Sequence, residues 1–266
     1  MSELTHMSLY SGIGGLDLAA EMAGFETIGQ CEYADFPYKI LCKHWKDVPK
    51  WRDIRDVTNE SFRTKCGGVQ PTVISGGFPC QPHSLAGKRK GSSDERDLWG
   101  EFARVICEIK PRWVVGENVV GLLSTEFGRF FGRVLRDLSE LGYNASWGVW
   151  GAYQAGAPHR RNRVFIIANA NSELPSGVDK GKQKQFSEIV KKKLDCTESW
   201  TGFNAEQNSI LRDGERSLYI DGGVDIRNDD GLSEGLDRIT ALGNAVVPQQ
   251  AYPIFKAIAD IEQMMR

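Results

Sequence analysis

One stretch determines how the rest of the sequence is interpreted: Gly76-Gly77-Phe78-Pro79-Cys80-Gln81-Pro82-His83-Ser84. It follows the apolar pair Val73-Ile74, as a loop follows a buried strand. In an open α/β sheet, ligands bind beyond the carboxyl ends of the strands, so chemistry is expected here. Cys80 stands between Pro79 and Pro82, which indicates a thiol held in place as a nucleophile. A lone cysteine is more often a small buried side chain, so this interpretation depends on three further segments.

The first segment is a glycine-rich turn, Tyr10-Ser11-Gly12-Ile13-Gly14-Gly15, at the start of a predicted helix. Glycines let a nucleotide-like ligand approach the backbone, but the fingerprint G-x-G-x-x-G fails because its third glycine would fall on Asp17. Glu32 follows Gly12 by 20 positions, at the end of a second predicted strand. A carboxylate there can bind ribose hydroxyls, so the pattern favours a nucleoside cofactor without a pyrophosphate over NAD.

The other two segments place charged groups at strand ends. Glu117 follows the apolar run Trp113–Val115, and Arg160, Arg161 and Arg163 stand just before or at the start of another apolar strand. A carboxylate at a strand end is often only solvated. Arginines before a strand are more often surface charges than ligand contacts, because charged residues are mostly exposed.

Taken in chain order, these segments resemble the motifs of the DNA (cytosine-5) methyltransferase family. The resemblance is carried by Tyr10–Gly15, Gly77–Gly91, Glu117–Val119, Pro158–Arg163 and Leu242–Pro248. A Pro-Cys-Gln segment followed by a Glu-Asn-Val segment is highly specific. The resemblance implies a minimal member of prokaryotic or phage-like build. It also implies an α/β fold of the Rossmann-like, S-adenosylmethionine-dependent methyltransferase type, with a mostly parallel sheet and a small DNA target recognition domain.

The family resemblance assigns the catalytic chemistry to four side chains. The Cys80 thiolate would add to carbon 6 of a flipped cytosine, which makes carbon 5 nucleophilic towards a methyl group. Glu117 would offset the charge at ring nitrogen 3 and accept a hydrogen bond from the exocyclic amine. Arg161 and Arg163 match the paired arginines that hold the 2-oxo group. The carbon-5 proton would then leave to a base that the sequence does not identify, and the thiolate would be eliminated.

The same resemblance implies how S-adenosylmethionine would be bound. Glu32 would bind the ribose hydroxyls, Tyr33 would stack on adenine, and Asp53 with Ile54 would grip the adenine edge. The cofactor-binding residues implied are Tyr10, Gly12, Gly14, Glu32, Tyr33, Asp53, Ile54, Pro79, Leu98, Asn244 and Ala245. Core packing is an equal alternative for Tyr33 and Leu98, because buried aromatic and aliphatic side chains are common in any domain.

Double-stranded DNA is the expected partner, although the net charge of −2 is unfavourable for phosphate binding. Six lysines against two acidic residues give a local charge of +4 between positions 177 and 193, in the span expected to contact DNA. A solvated surface is an equal alternative for this run, because charged residues usually lie at the surface. The residues expected to contact DNA after the cysteine are Gln81, Ser84, Lys88, Arg89 and Lys90. The polar, glycine-containing span 81–97 predicts a loop that closes over a base rotated out of the duplex. An ordinary surface loop is the alternative.

Alternating strands and helices predict helices on both faces of the sheet. Strands are expected around 6–10, 27–32, 51–54, 71–75, 112–117, 146–153 and 163–169. Helices are expected around 15–23, 35–45, 98–109, 129–141 and 250–264. Residues 1–170, completed by 237–266, are predicted to form the catalytic and cofactor-binding domain, and 171–236 the target recognition domain.

The sequence departs from the family pattern in three respects. His159 stands where relatives usually have glutamine, and Ala245 replaces a common serine, so that contact is expected from the backbone alone. The family's ninth motif, which braces the recognition domain, is not recognisable before Arg238.

Composition excludes several classes of protein. The six cysteines form no CxxC pair and no zinc spacing, which favours reduced thiols and no metal. The N-terminus lacks a basic-then-apolar signal, and no run approaches the roughly 18 apolar residues of a membrane helix. We therefore expect a cytoplasmic, monomeric protein without membrane contact. A cognate restriction endonuclease is a candidate further partner, and the sequence does not decide whether one accompanies the protein.

Two alternatives remain open at this point. One is a related enzyme that acts on cytosine in transfer RNA with a similar catalytic set. The other is a catalytically silent, sequence-specific DNA-binding protein of the same fold, against which the intact Cys80 and Glu117 argue. The recognised DNA sequence cannot be decoded, because contacts between loops and base edges carry it.

Overall fold

The computed structural model describes residues 4–79, 98–157, 159–170 and 243–265, in which seven strands form one mixed sheet. The strands are β1 (Thr5–Leu9), β2 (Glu26–Cys31), β3 (Lys50–Trp51), β4 (Val73–Gly76), β5 (Trp113–Val119), β6 (Tyr143–Trp150) and β7 (Arg163–Ala170). Their order across the sheet is β3-β2-β1-β4-β5-β7-β6. Strands β1 to β5 are parallel, whereas β7 is antiparallel to both of its neighbours, β5 and β6.

Helices cover both faces of this sheet. They are α1 (Gly15–Met22), α2 (Asp35–His44), α3 (Asn59–Lys65), α4 (Leu98–Ile109), α5 (Arg129–Glu140) and α6 (Pro248–Met264). One apolar cluster joins the sheet to α1 and α6, and a second joins it to α3, α4 and α5. Neighbouring residues of a strand face opposite sides, so Val115 packs in the first cluster and Val114 in the second. The predicted α/β architecture is confirmed.

The boundaries of two strands differ from the prediction. The edge strand expected around 146–153 runs from Tyr143 to Trp150, and most of its residues are partly or fully exposed, which weakens the apolar signal. The strand expected around 51–54 contributes only Lys50 and Trp51 to the sheet. Its predicted end is instead a short 3-10 helix, Ile54–Asp56, because the Asp53 side chain caps that turn.

One helix was not predicted at all. Helix α3 has seven residues, and only Phe62 among them is buried, so it carries almost no periodic apolar signal. It begins with a capping box, in which Thr58 Oγ1 accepts from the Ser61 backbone and Ser61 Oγ accepts from the Thr58 backbone.

The carboxyl ends of β1 to β5 and the start of β7 lie at the same edge of the sheet, which we call the rim. The C-terminal part of the chain reaches the rim because α6 packs beside α1. A Cβ atom on Gly15 would lie 2.4 Å from the carbonyl oxygen of Val246, so only glycine permits this approach. At the other end of α6, Glu262 accepts a hydrogen bond from the Trp113 indole and pairs with Arg112.

Residues 171–242 lie outside the described ranges, so the division into a catalytic and a recognition domain stays a prediction. None of the helices within the described ranges combines the length and apolarity needed to cross a lipid bilayer.

Candidate active site

A cleft of about 970 Å³ opens at the rim. It brings together most of the residues that the sequence singled out, although they come from distant parts of the chain. Those that line it are Tyr10, Gly12, Glu32, Tyr33, Asp53, Ile54, Pro79, Leu98, Glu117, Arg163, Asn244 and Ala245. Two other predicted site residues, Gly14 and Arg161, are not among the lining residues.

The glycine turn after β1 forms one wall of the cleft. Gly12 has a φ of +55°, and a Cβ placed on it would meet no atom within 4 Å, so its surface is open to a ligand. Gly14 differs, since a Cβ there would lie 2.4 Å from the ring of Trp45. The glycine at 14 is therefore explained by its positive φ and by packing against Trp45 rather than by contact with the cleft.

The carboxylate of Glu32 is held in a fixed orientation at the end of β2. Its two oxygens accept hydrogen bonds from the backbone N–H groups of Gly12, at 2.8 Å, and Ala34, at 2.7 Å. A carboxylate offers about four lone-pair sites, so each oxygen keeps capacity for another donor. Two adjacent hydroxyl groups are the kind of ligand that such a carboxylate can bind.

Tyr33 follows Glu32 and presents its ring to the cleft. The residue is 73% exposed, so core packing does not account for it. Its backbone is fixed because Arg52 donates to the Tyr33 carbonyl oxygen at 2.7 Å. An exposed aromatic ring on a fixed backbone is suited to stack on a planar ligand. Leu98, at the start of α4, is half-buried and also lines the cleft.

Asp53 and Ile54 form the part of the cleft that follows β3. The Asp53 carboxylate accepts hydrogen bonds from the backbone and the guanidinium of Arg55, and these hold the pKa of Asp53 below its usual value. The Ile54 side chain is buried in the core. A carboxylate and an adjacent backbone amide are therefore presented at this end of the cleft.

Glu117, at the end of β5, is the buried acid of the site. Its Oε1 lies 2.8 Å from Nε of Arg163, and the whole residue is only 6% exposed. Burial raises the pKa of Glu117 to about 7, because removal from water disfavours the carboxylate more than Arg163 and Arg161 favour it. A Cβ on Gly77 would lie 3.1 Å from Oε2, so the absence of a side chain at 77 makes room for this carboxyl group.

Asn118 connects Glu117 to the segment that precedes Cys80. Its amide Nδ2 donates to the carbonyl oxygen of Phe78 at 2.7 Å, and its Oδ1 accepts from the Val119 backbone at 2.9 Å. Asn118 is buried and lines the cleft, and its role was not predicted from the sequence. The feature of the sequence that could have identified Asn118 is its position directly after the acid Glu117 near the end of a strand.

The two predicted arginines take different positions. Arg163 lies in the cleft beside Glu117, whereas Arg161 donates through Nη2 to the carbonyl oxygens of Gly243, at 2.7 Å, and Ala245. Arg161 thus holds the C-terminal segment at the rim. The contact of Ala245 with Arg161 comes from its backbone.

Gln250 supports the same connection and was also missed. From α6, its Nε2 donates to the carbonyl oxygens of Trp150, at 2.6 Å, and Arg161, at 3.1 Å. The clue in the sequence was a glutamine in the first turn of a mostly apolar helix.

The predicted nucleophile and DNA contacts lie outside the described residues. These are Cys80, Gln81, Ser84, Lys88, Arg89 and Lys90, together with the remainder of the span 81–97. Pro79, the chain neighbour of Cys80, lines the cleft. Within the described part of the chain, no cluster of three or more histidine, cysteine or acidic side chains is suited to hold a metal ion.

The sequence pattern of one family, described as C-5 cytosine-specific DNA methylase, matches residues 4–219. Among individual proteins, the chain is 32% identical over 191 residues to the Type II methyltransferase M.FnuDI of Fusobacterium nucleatum, covering 69% of this chain and 54% of that protein. It is 34% identical over 189 residues to the Type II methyltransferase M.Eco47II of Escherichia coli, covering 70% of this chain and 44% of that protein. The chain thus spans about half the length of these curated relatives.

Solved structures show the same fold. A prophage-encoded E. coli protein described as a DNA modification methyltransferase superposes with a TM-score of 0.56 at 25% identity, over 64% of this chain and 47% of that one. A DNMT2 variant of Spodoptera frugiperda superposes with a TM-score of 0.55 over 67% of this chain and 54% of that one. At 18% identity, the second likeness concerns the fold alone.

Proposed function

Because the chain belongs to the C-5 cytosine-specific DNA methylase family, we propose that it methylates carbon 5 of cytosine within a specific sequence of duplex DNA. The observation that carries this proposal is the pairing of buried Glu117 with Arg163 in a cleft that Pro79, next to Cys80, also lines. In the same cleft, Glu32 and Tyr33 are presented to a ligand. A site for a base and a site for a nucleoside therefore lie side by side.

The described residues fit S-adenosylmethionine. The Glu32 oxygens keep lone pairs for two ribose hydroxyls, and the exposed Tyr33 ring is free to stack on adenine. Asp53 and the backbone of Ile54 would hold the adenine edge, and Asn244 and Ala245 would complete the pocket. When bound, this cofactor supplies a methyl group made electrophilic by a sulfonium.

Glu117 and Arg163 would offset the negative charge that develops on the cytosine ring during the reaction. When the Cys80 thiolate forms a bond to carbon 6, the ring double bond supplies the electron pair for methyl transfer at carbon 5. With a pKa near 7, a substantial fraction of Glu117 is protonated at neutral pH and can donate to ring nitrogen 3. Loss of the carbon-5 proton to a base then restores the double bond and expels the thiolate.

The target cytosine would have to leave the base stack. Glu117 is buried in a cleft that a base inside a duplex cannot enter, so the nucleotide must rotate out of the helix. We assign the DNA contacts that accompany this rotation to Gln81, Ser84, Lys88, Arg89 and Lys90.

We assign recognition of the target DNA sequence to residues 171–236, which carry the lysine-rich stretch. A chimera with the corresponding segment of a relative should therefore methylate that relative's sequence.

The names of the relatives point to a partner protein. Since those relatives are called Type II methyltransferases, we propose a cognate restriction endonuclease as a companion. We also propose that the enzyme is cytoplasmic and monomeric.

Radiolabelled S-adenosylmethionine tests the proposal directly. Purified protein should transfer label to duplex DNA and not to transfer RNA. Bisulfite sequencing of the methylated DNA should then locate 5-methylcytosine in one sequence context. Label in transfer RNA alone would establish the transfer-RNA alternative instead. Sequence-specific binding without any transfer of label would identify a silent DNA-binding protein.

A further inference from the structure

Helix α4 carries an arginine, Arg104, that reaches the cleft-forming segment from outside the cleft. Its Nη2 donates to the carbonyl oxygen of Ile54 at 2.8 Å, and its Nη1 donates to the carbonyl oxygen of Val57 at 3.0 Å. Arg104 itself does not line the cleft, and its side chain is 29% exposed. The guanidinium therefore fixes the backbone of residues 54–57 without occupying the ligand's space.

Two carboxylates hold the guanidinium in this orientation. Glu101 accepts from Nε at 2.7 Å, and Glu108 accepts from Nη1 at 2.8 Å. Glu108 also accepts from the backbone N–H of Asn59 at 2.9 Å, at the start of α3. Because an arginine offers five donors in a rigid planar fork, a single side chain can serve both carbonyls and both acids.

The segment that Arg104 holds has little support from the sheet. β3 contributes only Lys50 and Trp51, and it pairs with β2 alone at the edge of the sheet. Beyond Trp51, the chain turns through the 3-10 helix Ile54–Asp56. This helix is held by the packing of Ile54 and Val57, by the bonds from Arg104, and by the Ser61 hydroxyl, which donates to the Asp56 carbonyl oxygen at 2.6 Å.

We propose that Arg104 is a positioning residue for the adenosine end of the cofactor. It holds the Ile54 carbonyl and thereby sets where Asp53 and the Ile54 backbone stand in the cleft. This inference rests on the proposed use of S-adenosylmethionine. It goes beyond that proposal because it attributes part of the affinity for the cofactor to Arg104, a residue of α4 that does not line the cleft.

Binding of S-adenosylhomocysteine, measured by calorimetry, tests the inference without requiring activity. Arg104→Met keeps most of the side-chain length but removes all donors, so the dissociation constant should rise about tenfold, equivalent to about 1.4 kcal/mol. Arg104→Lys keeps one charge and should lose less, because a single ammonium group cannot serve both carbonyls. In steady-state assays, KM for S-adenosylmethionine should rise more than kcat falls.

Two control variants separate positioning from general effects of charge. Arg133→Met removes an arginine of α5 that pairs with Asp137 four residues on, and it should change the dissociation constant less than twofold. Glu108→Gln keeps both carbonyl bonds of Arg104 and an acceptor for Asn59, so it should also have little effect on binding.

Hydrogen exchange of backbone amides gives a second, local measurement. In Arg104→Met, exchange at the amides of residues 56–59 should accelerate, while amides of β1 and β4 remain protected. Acceleration throughout the protein would show a merely structural role and overturn the inference. Unchanged affinity in Arg104→Met, with a wild-type protein that binds, would overturn it as well. Failure of the wild-type protein to bind would overturn the proposed cofactor and this inference together.

Discussion

The hydroxyl group of Tyr10 donates a hydrogen bond to the backbone carbonyl oxygen of Leu98, 2.6 Å away. The two residues are 88 positions apart, and each lines the cleft. Tyr10 also has a φ of +52°, a left-handed conformation that is uncommon for a residue with a side chain and persists only where the surroundings enforce it. The hydrogen bond thus joins the glycine turn after β1 to the first residue of α4.

Removal of this hydroxyl should loosen the cleft. Tyr10→Phe keeps the ring but loses one hydrogen bond, so the free energy of unfolding should fall by about 0.5–1.5 kcal/mol. The affinity for S-adenosylhomocysteine should fall several-fold, because two walls of the cleft are no longer joined. Urea denaturation and calorimetry measure the two effects. Tyr153→Phe, at an exposed tyrosine, is the matched control, and an equal loss in both variants would contradict the prediction.

The Cys80 thiol should form a covalent bond to the target base. Duplex DNA with 5-fluorocytosine in the target site should trap the enzyme, because fluorine cannot leave carbon 5 as a proton does. Denaturing electrophoresis measures the adduct, which should be absent in Cys80→Ala. An adduct of undiminished yield in the alanine variant would show that another residue is the nucleophile.

Replacement of the buried acid should slow the reaction without abolishing binding. For Glu117→Gln, we expect single-turnover methyl transfer to fall by about 10²–10⁴-fold, the usual contribution of positioned proton transfer. The protonated form of Glu117 declines as pH rises through about 7, so the wild-type rate should decline there once thiolate formation at Cys80 is corrected for. The glutamine variant should lack this decline. A variant with the wild-type rate would remove Glu117 from the mechanism.

A buried acid under the glycine turn should affect stability rather than chemistry. Asp17, on α1, is fully buried and accepts hydrogen bonds from Ser8 at 2.7 Å and from Gln30 at 3.1 Å. Burial raises the pKa of Asp17 to about 7, and burial lowers the pKa of nearby His6 to about 3. Between about pH 4 and 6.5, the loss of stability from Asp17 with rising pH therefore opposes the gain from His6.

The variant Asp17→Asn separates these two effects. A raised native pKa means that the stability contributed by protonated Asp17 is full below pH 4 and is lost as pH rises to about 7. The free energy of unfolding of Asp17→Asn, relative to wild type, should therefore increase with pH by up to about 1.4 kcal/mol per pH unit in that window. It should level off above pH 7. Denaturant titrations at several pH values measure the difference, and a constant difference would contradict the prediction.

Much of the fold could be predicted because the central strands of the sheet contain short apolar runs. Val73-Ile74 and Trp113–Val115 are examples, and the structure buries both in the centre of the sheet. The family resemblance then predicted residues that the structure places around one cleft. Local patterns succeed for Glu32 and Asp53 because each follows the end of a strand. Leu98 begins α4 and Arg163 begins β7, so the family resemblance and not a strand end identified them.

The contacts made by polar side chains over long distances could not be predicted in this way. Arg104 binds a carbonyl group 50 positions away, and Gln250 binds one 100 positions away, so no local pattern records either contact. In the sequence, Asp17 is only a mismatch to a glycine motif, yet the structure buries it in a polar network with Ser8 and Gln30. Such roles depend on which elements pack together, and the sequence alone does not state that.

The reversed direction of β7 sets a minimum length for any segment that connects Ala170 to Gly243. The chain enters β7 at the rim with Arg163 and leaves it at the opposite edge with Ala170, whose N–H binds the carbonyl oxygen of Arg112. It is back at the rim by Gly243, which Arg161 holds. At about 3.4 Å per residue, the length of β7 corresponds to roughly 25 Å. A protein engineer who replaces residues 171–242 with a short linker must therefore cover that distance, which takes at least about eight extended residues.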